Sequence, residues 1–403
     1  QDVAEGAGVQ AVGRNSTGVV ACDLNNDGYQ DLYVGSEGVY GDGLDFRSPP
    51  KEQGNKDLLF LNNGDGSFTD ITEAAFGHAV NLRSAMSIAC ADVDGDQWLD
   101  LYVGNFLDLD FRDFHQPWHA GNYNVLYRNN GDLTFTDVSE VAGVKGTQIL
   151  MRYPDGSPVL FEDPGTGERF EGYDPTVTDR EGNRVGDPTA QTHAVLFFDN
   201  DDDGDPDLWV ANDGDRLYVY RNDSTPGNIR FTSVAGEMGI DKVGAWMGFA
   251  LGDYDGDADL DVFVTNLGFH HRMRGRLTTP GGSCEYHDQF PWGSCLNSLL
   301  RNDGTQDVPG VGPVGWFVDV APGTQVLPSP LMPPDSLNPR AVHPDWPVPT
   351  GLAAYDFGFG TTFFDYDNDG DQDLYWLGSL EVRGEGPGGQ AFPSAGRMLE
   401  SDG

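Results

Sequence analysis

Carboxylates recur at alternate positions in five nine-residue segments of this 403-residue chain. The first holds Asp23, Asn25, Asp27, Tyr29 and Asp31 at positions 1, 3, 5, 7 and 9. The second holds Asp92, Asp94, Asp96, Trp98 and Asp100, and the third Asp199, Asp201, Asp203, Asp205 and Asp207. Asp253, Asp255, Asp257, Asp259 and Asp261 form the fourth, and Asp365, Asp367, Asp369, Asp371 and Asp373 the fifth. Oxygen side chains at positions 1, 3, 5 and 9, with the main-chain carbonyl of position 7, make the donor set of a hard cation. Ca²⁺ takes about 6–8 oxygen ligands at about 2.3–2.6 Å, and an EF-hand would close its loop with Glu at position 12. Here each segment closes on Asp at position 9 and runs into an apolar strand, as in Asp31-Leu-Tyr-Val and Asp100-Leu-Tyr-Val. Asp is common in turns, so one copy alone is equally a polar turn. Five copies in one register predict about five bound Ca²⁺.

The copies differ in one respect. Gly28, Gly204 and Gly370 stand at position 6, where a sharp turn favours positive φ. In the second and fourth loops Gln97 and Ala258 stand there, and glycine has moved to position 4 as Gly95 and Gly256. Those two loops are expected to turn differently and to bind more weakly.

Around each loop a four-strand unit repeats. A strand A enters the loop (18–22, 86–91, 194–198, 249–252 and 361–364), and a strand B leaves it. A strand C ends in an Asn-rich turn, as in Leu126-Tyr-Arg-Asn129-Asn130-Gly131, and a strand D follows, as in Phe135-Thr-Asp-Val138. Asn-Gly between apolar runs is a strong hairpin signal. Repeated four-stranded units that cannot bury their faces alone indicate an all-β fold, a β-propeller. Five units are complete, and the blade total lies between five and seven. The whole chain, 1–403, reads as a single propeller domain closed by its N- and C-terminal segments.

These residues resemble FG-GAP/VCBS-type propeller repeats, such as those of the integrin α-subunit head. Within that class, Asp23 to Leu32, Asn129 to Asp132 and Phe135 to Val144 are most similar to the cartilage acidic protein family. The resemblance implies a calcium-bearing propeller, an extracellular location and adhesive or matrix-type roles, and it implies no chemistry.

Composition agrees with an outside location. The formal net charge is −42, from 65 acidic and 23 basic residues, and 23 of the acidic ones lie in the five loops. Five divalent cations would offset only a minor part of that charge. The remainder is a solvated acidic surface that repels nucleic acid and anionic membranes. No apolar run is long enough to span a bilayer. A chain beginning at Gln1 fits a mature form from which a signal peptide has been removed.

Cys284 and Cys295 lie in one long insertion and are assigned to a disulfide, with a zinc site using His287 as the alternative. Cys22 and Cys90 fall in equivalent A strands, one residue out of phase. Side chains so placed should face opposite sides, so both are expected to be buried small hydrophobes. Asn15-Ser-Thr and Asn222-Asp-Ser are glycosylation sequons.

Long insertions occupy 36–56, 106–124, 145–191, 268–297 and 323–358, all in B–C or D–A connections. They are expected on the face opposite the acidic loops, where binding usually resides. They carry Phe111, Phe114, His115, Trp118, His119, Tyr123, His270, His271, Tyr286, His287, Trp292, His343 and Trp346. No nucleophile, base and orienting group can be assembled from them. The favoured reading is therefore a non-enzymatic structural, adhesive or self-assembling surface protein with a protein or glycan ligand. A secreted carbohydrate-active hydrolase or lyase is the alternative. The chain ends add a further expectation. Gln1 to Val9 matches Thr136 to Val144, and Met398 to Gly403 matches a C strand entering its turn. Closure of the ring within one chain, strand exchange between subunits, or a chain that continues past Gly403 follows from that match.

Overall fold

The structure is a computed structural model of the full chain. It describes residues 3–11, 16–36, 56–106, 123–146, 160–162, 169–171, 191–240, 243–266, 297–321, 326–327, 348–349, 358–378, 380–383, 390–393 and 397–401. They fall into two compact units. One contains residues 1–199, 204–210 and 219–233, and the other 200–203, 211–218 and 234–403.

The fold is all-β and of β-propeller type, built from antiparallel blades. In the first unit, blade one is β1 (Ser16–Cys22), β2 (Asp31–Ser36), β3 (Leu58–Asn62) and β4 (Phe68–Asp70), paired in that order. Blade two repeats it with β5 (Ala85–Ala91), β6 (Asp100–Asn105), β7 (Val125–Asn129) and β8 (Phe135–Asp137). A hairpin of β9 (Leu160–Glu162) and β10 (Arg169–Glu171) lies in the following insertion. Blade three, whose residues belong to both units, is β11 (Thr192–Phe198), β12 (Asp207–Arg216), β13 (Tyr218–Asn222) and β14 (Phe231–Ser233).

The second unit holds blade four, β15 (Val243–Gly252), β16 (Asp261–Asn266), β17 (Ser298–Val308) and β18 (Gly312–Asp319). The short pair β19 (Val326–Leu327) and β20 (Val348–Pro349) follows. Blade five pairs β21 (Gly358–Phe364), β22 (Asp373–Gly378) and β25 (Arg397–Leu399), with a hairpin of β23 (Leu380–Arg383) and β24 (Gln390–Pro393) between the last two. Each strand expected to enter an acidic loop does so. The long insertions 36–56, 106–124 and 268–297 fall almost wholly outside the described residues, as do Cys284, Cys295 and every aromatic and histidine singled out there except Tyr123.

Four of the B strands share one register: Cys22 pairs with Asp31, Ala91 with Asp100, Gly252 with Asp261 and Phe364 with Asp373. In blade two the B strand is apolar on both faces because blades one and three flank it. All six residues of β6 are buried, the pattern of a strand with no solvent face. In the first unit Tyr33, Leu59, Phe76, Ile88, Leu101, Val103, Tyr127 and Phe135 form one core between blades one and two. In the second, Phe263, Leu299, Leu374 and Trp376 do the same between blades four and five. Side chains are excluded where blades approach most closely. A Cβ on Gly248 would lie 2.2 Å from the carbonyl oxygen of Phe359.

The cysteine expectation is overturned. Cys22 and Cys90 form a disulfide with Cα atoms 6.7 Å apart, within the span a bridge can cover. The one-residue offset is the cause. Adjacent blades present opposite faces to the gap between them, so strands out of phase by one residue point their side chains at each other. Gly18 shows the same geometry, since a Cβ there would meet Ile88 of β5.

A short helical turn follows each of the D strands β4 and β8: α2 (Thr72–Phe76) and α3 (Ser139–Ala142). Asp137 Oδ1 accepts the Ser139 N–H at 3.0 Å, and Ser139 Oγ accepts the Leu126 N–H at 2.8 Å. Asp70 and Thr72 repeat this in blade one. The N-terminal turn α1 (Ala4–Ala7) ends in Gly8, where an added Cβ would lie 2.8 Å from the carbonyl oxygen of Phe68, as one on Gly143 after α3 would lie 3.7 Å from that of Phe231.

Candidate metal centres

Each acidic loop is first a hydrogen-bonded turn. The position-1 carboxylate takes the main-chain N–H groups of positions 5 and 6. Asp92 accepts from Asp96 at 3.0 Å and Gln97 at 2.8 Å, and Asp253 from Asp257 at 3.0 Å and Ala258 at 3.1 Å. Asp23 and Asp365 repeat the pattern. Position 5 accepts the N–H of position 7, as in Asp27 to Tyr29 at 2.8 Å and Asp96 to Trp98 at 3.0 Å. A carboxylate that uses one lone pair on the backbone keeps others for a cation.

The second and fourth loops do not turn differently, contrary to expectation. Positions 4 and 6 have positive φ in all five loops: 57° and 87° at Asn26 and Gly28, 72° and 75° at Gly95 and Gln97, and 74° and 77° at Gly256 and Ala258. One glycine and one non-glycine residue share the left-handed positions in each loop, and only their order changes. The non-glycine residue is Asn or Asp in the first, third and fifth loops, types that adopt the left-handed region readily, and Gln97 or Ala258 in the second and fourth, where it costs about 1–2 kcal/mol.

The position-9 carboxylates have a second task that their spacing did not reveal. Asp31, Asp100, Asp207, Asp261 and Asp373 are essentially inaccessible to solvent. One oxygen of Asp100 accepts the Asn129 N–H at 2.8 Å and the other the Val93 N–H at 3.1 Å, tying the loop to the C strand. Asp31 does this with Asn62 and Leu24, Asp261 with Asn302 and Tyr254, and Asp373 with Ser401 and Tyr366. Burial drives the Asp100 carboxyl up to about 7 and that of Asp261 up to about 6, although two backbone N–H groups pull each one down. Burial, then neighbouring carboxylates, also raise Asp255 and Asp367.

Carboxylate oxygens lie within 4.8 Å of one another in three groups that each belong to one unit: Asp92, Asp94 and Asp96; Asp253, Asp255 and Asp261; and Asp365, Asp367 and Asp373. The first loop has Asn25 at position 3 and offers one carboxylate fewer. Residues of the third loop belong to both units. Within the first, Asp199 accepts the Gly204 N–H at 2.9 Å and Asp207 the Asn222 N–H at 2.8 Å. All-oxygen, anionic, preformed groups of this kind fit a hard divalent cation, which would reverse the upward pressure on their carboxyls. At position 7 the carbonyl is the expected donor, and the side chain packs instead. The Tyr29 ring lies over Gly64 and the Trp98 ring over Gly131, where a Cβ would come within 2.8 and 2.9 Å.

The opposite end of the blades carries a clasp that sequence reasoning missed. The residue before each of three C strands bonds the end of its B strand: Asp57 accepts from Ser36 N–H, Asn124 from Asn105 N–H and Asn297 from Asn266 N–H, each at 2.8 Å. Asp57 also accepts from the Tyr33 hydroxyl and Asn81 Nδ2 at 2.8 Å. These clasps close the roots of the B–C insertions. Tyr123, at one root, lies under the Lys145 ammonium at 4.9 Å. Asn222 of the second sequon is buried and donates to the carbonyls of Val93 and Pro206, so the folded chain does not present it for glycosylation. Asn15 lies outside the described residues.

An FG-GAP-like repeat family model matches residues 47–103 and 199–264. Mouse cartilage acidic protein 1 is 24% identical over 274 residues, covering 65% of this chain and 41% of the relative. The human protein is 24% identical over the same length, with 65% and 40% covered. The chain thus spans about two fifths of the length of these relatives. Among solved structures, the exotype rhamnogalacturonan lyase YesX aligns with a TM-score of 0.36 and 14% identity, over 96% of this chain and 57% of that one. Overlap that loose bears on neither fold nor activity. No described helix is long and apolar enough to cross a membrane. With its five acidic loops on repeated blades, the chain is a β-propeller with FG-GAP-like repeats over those two segments, similar to cartilage acidic protein 1.

Proposed function

We propose that this chain is a non-catalytic propeller stabilised by about five Ca²⁺, acting outside the cell as a structural or adhesive surface that presents its insertions to a protein or glycan ligand. The observation that carries the reading is the repeated loop. Backbone bonds preform each group of carboxylates while leaving oxygens directed at one another, an arrangement that repels itself without a cation. The Cys22–Cys90 disulfide supports an oxidising compartment. Native mass spectrometry after calcium loading tests the stoichiometry. About five tightly held calcium ions are expected, and a protein that holds none contradicts the proposal. Release of sugar products from a polysaccharide panel would contradict the non-catalytic part.

A further inference from the structure

The residue that precedes the C-strand asparagine stands beside the acidic loop of its own blade, and in blade two it is Arg128. Its Nε lies 3.2 Å from Asp94 Oδ2 and a terminal nitrogen 3.2 Å from Asp96 Oδ2. The other oxygens of those carboxylates are already engaged, Asp94 Oδ1 with the Asp96 N–H and Asp96 Oδ1 with the Trp98 N–H. Asp94 Oδ2 also accepts the Gly227 N–H at 2.9 Å. The guanidinium therefore occupies the lone pairs that positions 3 and 5 would turn toward a cation. Blade one has Leu61 at this place and blade five has Glu400; blades three and four also have arginine, Arg221 and Arg301, but these pair with Asp223 and Asp303 of their own turns, whereas Arg128 pairs with two carboxylates of the loop.

We infer that Arg128 is a built-in counter-cation that sets the affinity of the second loop, making it the weak, exchangeable site among otherwise structural ones. The inference rests on the calcium reading of the loops. A divalent ion bound there would have to share its ligands with a fixed positive charge, a repulsion that water and salt reduce but do not abolish. Without the ion, the same guanidinium offsets part of the loop's negative charge and ties Asp94 to Asp96.

Tb³⁺ luminescence excited through Trp98, the position-7 residue of this loop, reads the site directly. The part of the signal lost in Trp98→Phe belongs to the second loop. Arg128→Leu, which installs the blade-one residue, should tighten Trp98-dependent Tb³⁺ binding roughly tenfold, with Ca²⁺ displacing it at correspondingly higher concentration. Arg128→Lys, which keeps the charge, should stay much closer to the native affinity. Equal or weaker binding in Arg128→Leu overturns the inference while leaving the calcium reading intact. A Trp98-dependent signal absent from the native chain and both Arg128 variants overturns it together with the calcium reading of this loop.

Discussion

Asn129 Nδ2 donates to the main-chain carbonyl of Leu24 at 2.8 Å, across 105 residues of sequence. Leu24 is position 2 of the first acidic loop, and Asn129 closes the C strand of the next blade. Asn222 repeats the relationship with Val93 of the second loop at 2.9 Å. In blade five Ser401 Oγ reaches the Tyr254 carbonyl of the fourth loop at 3.1 Å. The Asn-rich turn is thus a staple between blades as well as a hairpin. The first, second and fourth loops are each held from their own blade by the position-9 aspartate and from the next by this side chain.

Asn129→Ala should destabilise the protein by about 1–3 kcal/mol, because it orphans the buried Leu24 carbonyl. Asn130→Ala, whose exposed side chain bonds only within its own turn, should cost under about 1 kcal/mol. Denaturant unfolding of the two variants checks the difference.

Replacing Cys22 and Cys90 by serine should cost about 4 kcal/mol in the chain-entropy description of a bridge closing a loop of 68 residues. Non-reducing peptide mapping should recover the two as one linked peptide. Free thiols at both positions in native protein would contradict the assignment.

The A and B strands and their acidic loops were legible because a two-residue carboxylate spacing followed by an apolar run has few other readings. The Cys22–Cys90 bridge was not, since phase within a strand says where a side chain points only relative to its own blade. Which faces meet is a property of neighbouring blades. Asp57, Asn124 and Asn297 were missed for another reason: a single polar residue before a strand carries no period. The staple role of Asn129 hid behind the turn signal that the same residue provides.

His193 gives a pH dependence. Burial pushes its imidazole down to about 4, and its ring lies 4.3 Å from that of Phe106. The unfolded chain, with a pKa of about 6.5, binds the proton more tightly than the folded one, so stability falls as pH drops from about 6.5 to about 4. The loss approaches about 3 kcal/mol at the lower end. His193→Gln should remove that share of the slope, measured by urea unfolding in saturating calcium. An unchanged slope would show that the imidazole titrates normally.

Asp57→Ala should cost about 3 kcal/mol or more, because it strands the Tyr33 hydroxyl, the Ser36 N–H and the Asn81 amide in a buried setting. Asp259→Ala should be nearly silent, since position 7 contributes its carbonyl, whereas Asp369→Ala should lower the melting temperature. Thermal unfolding of the three variants in calcium ranks them.

Thermal unfolding with and without chelator tests the central claim most directly. Ions bound only by the folded state stabilise it by mass action, and at one hundred times Kd each contributes about 2.7 kcal/mol. Excess EDTA should therefore lower the melting temperature sharply. Ca²⁺ should restore it, and Mg²⁺ should do so poorly because it retains its waters and demands a small octahedral shell. A melting temperature unmoved by EDTA would contradict the account.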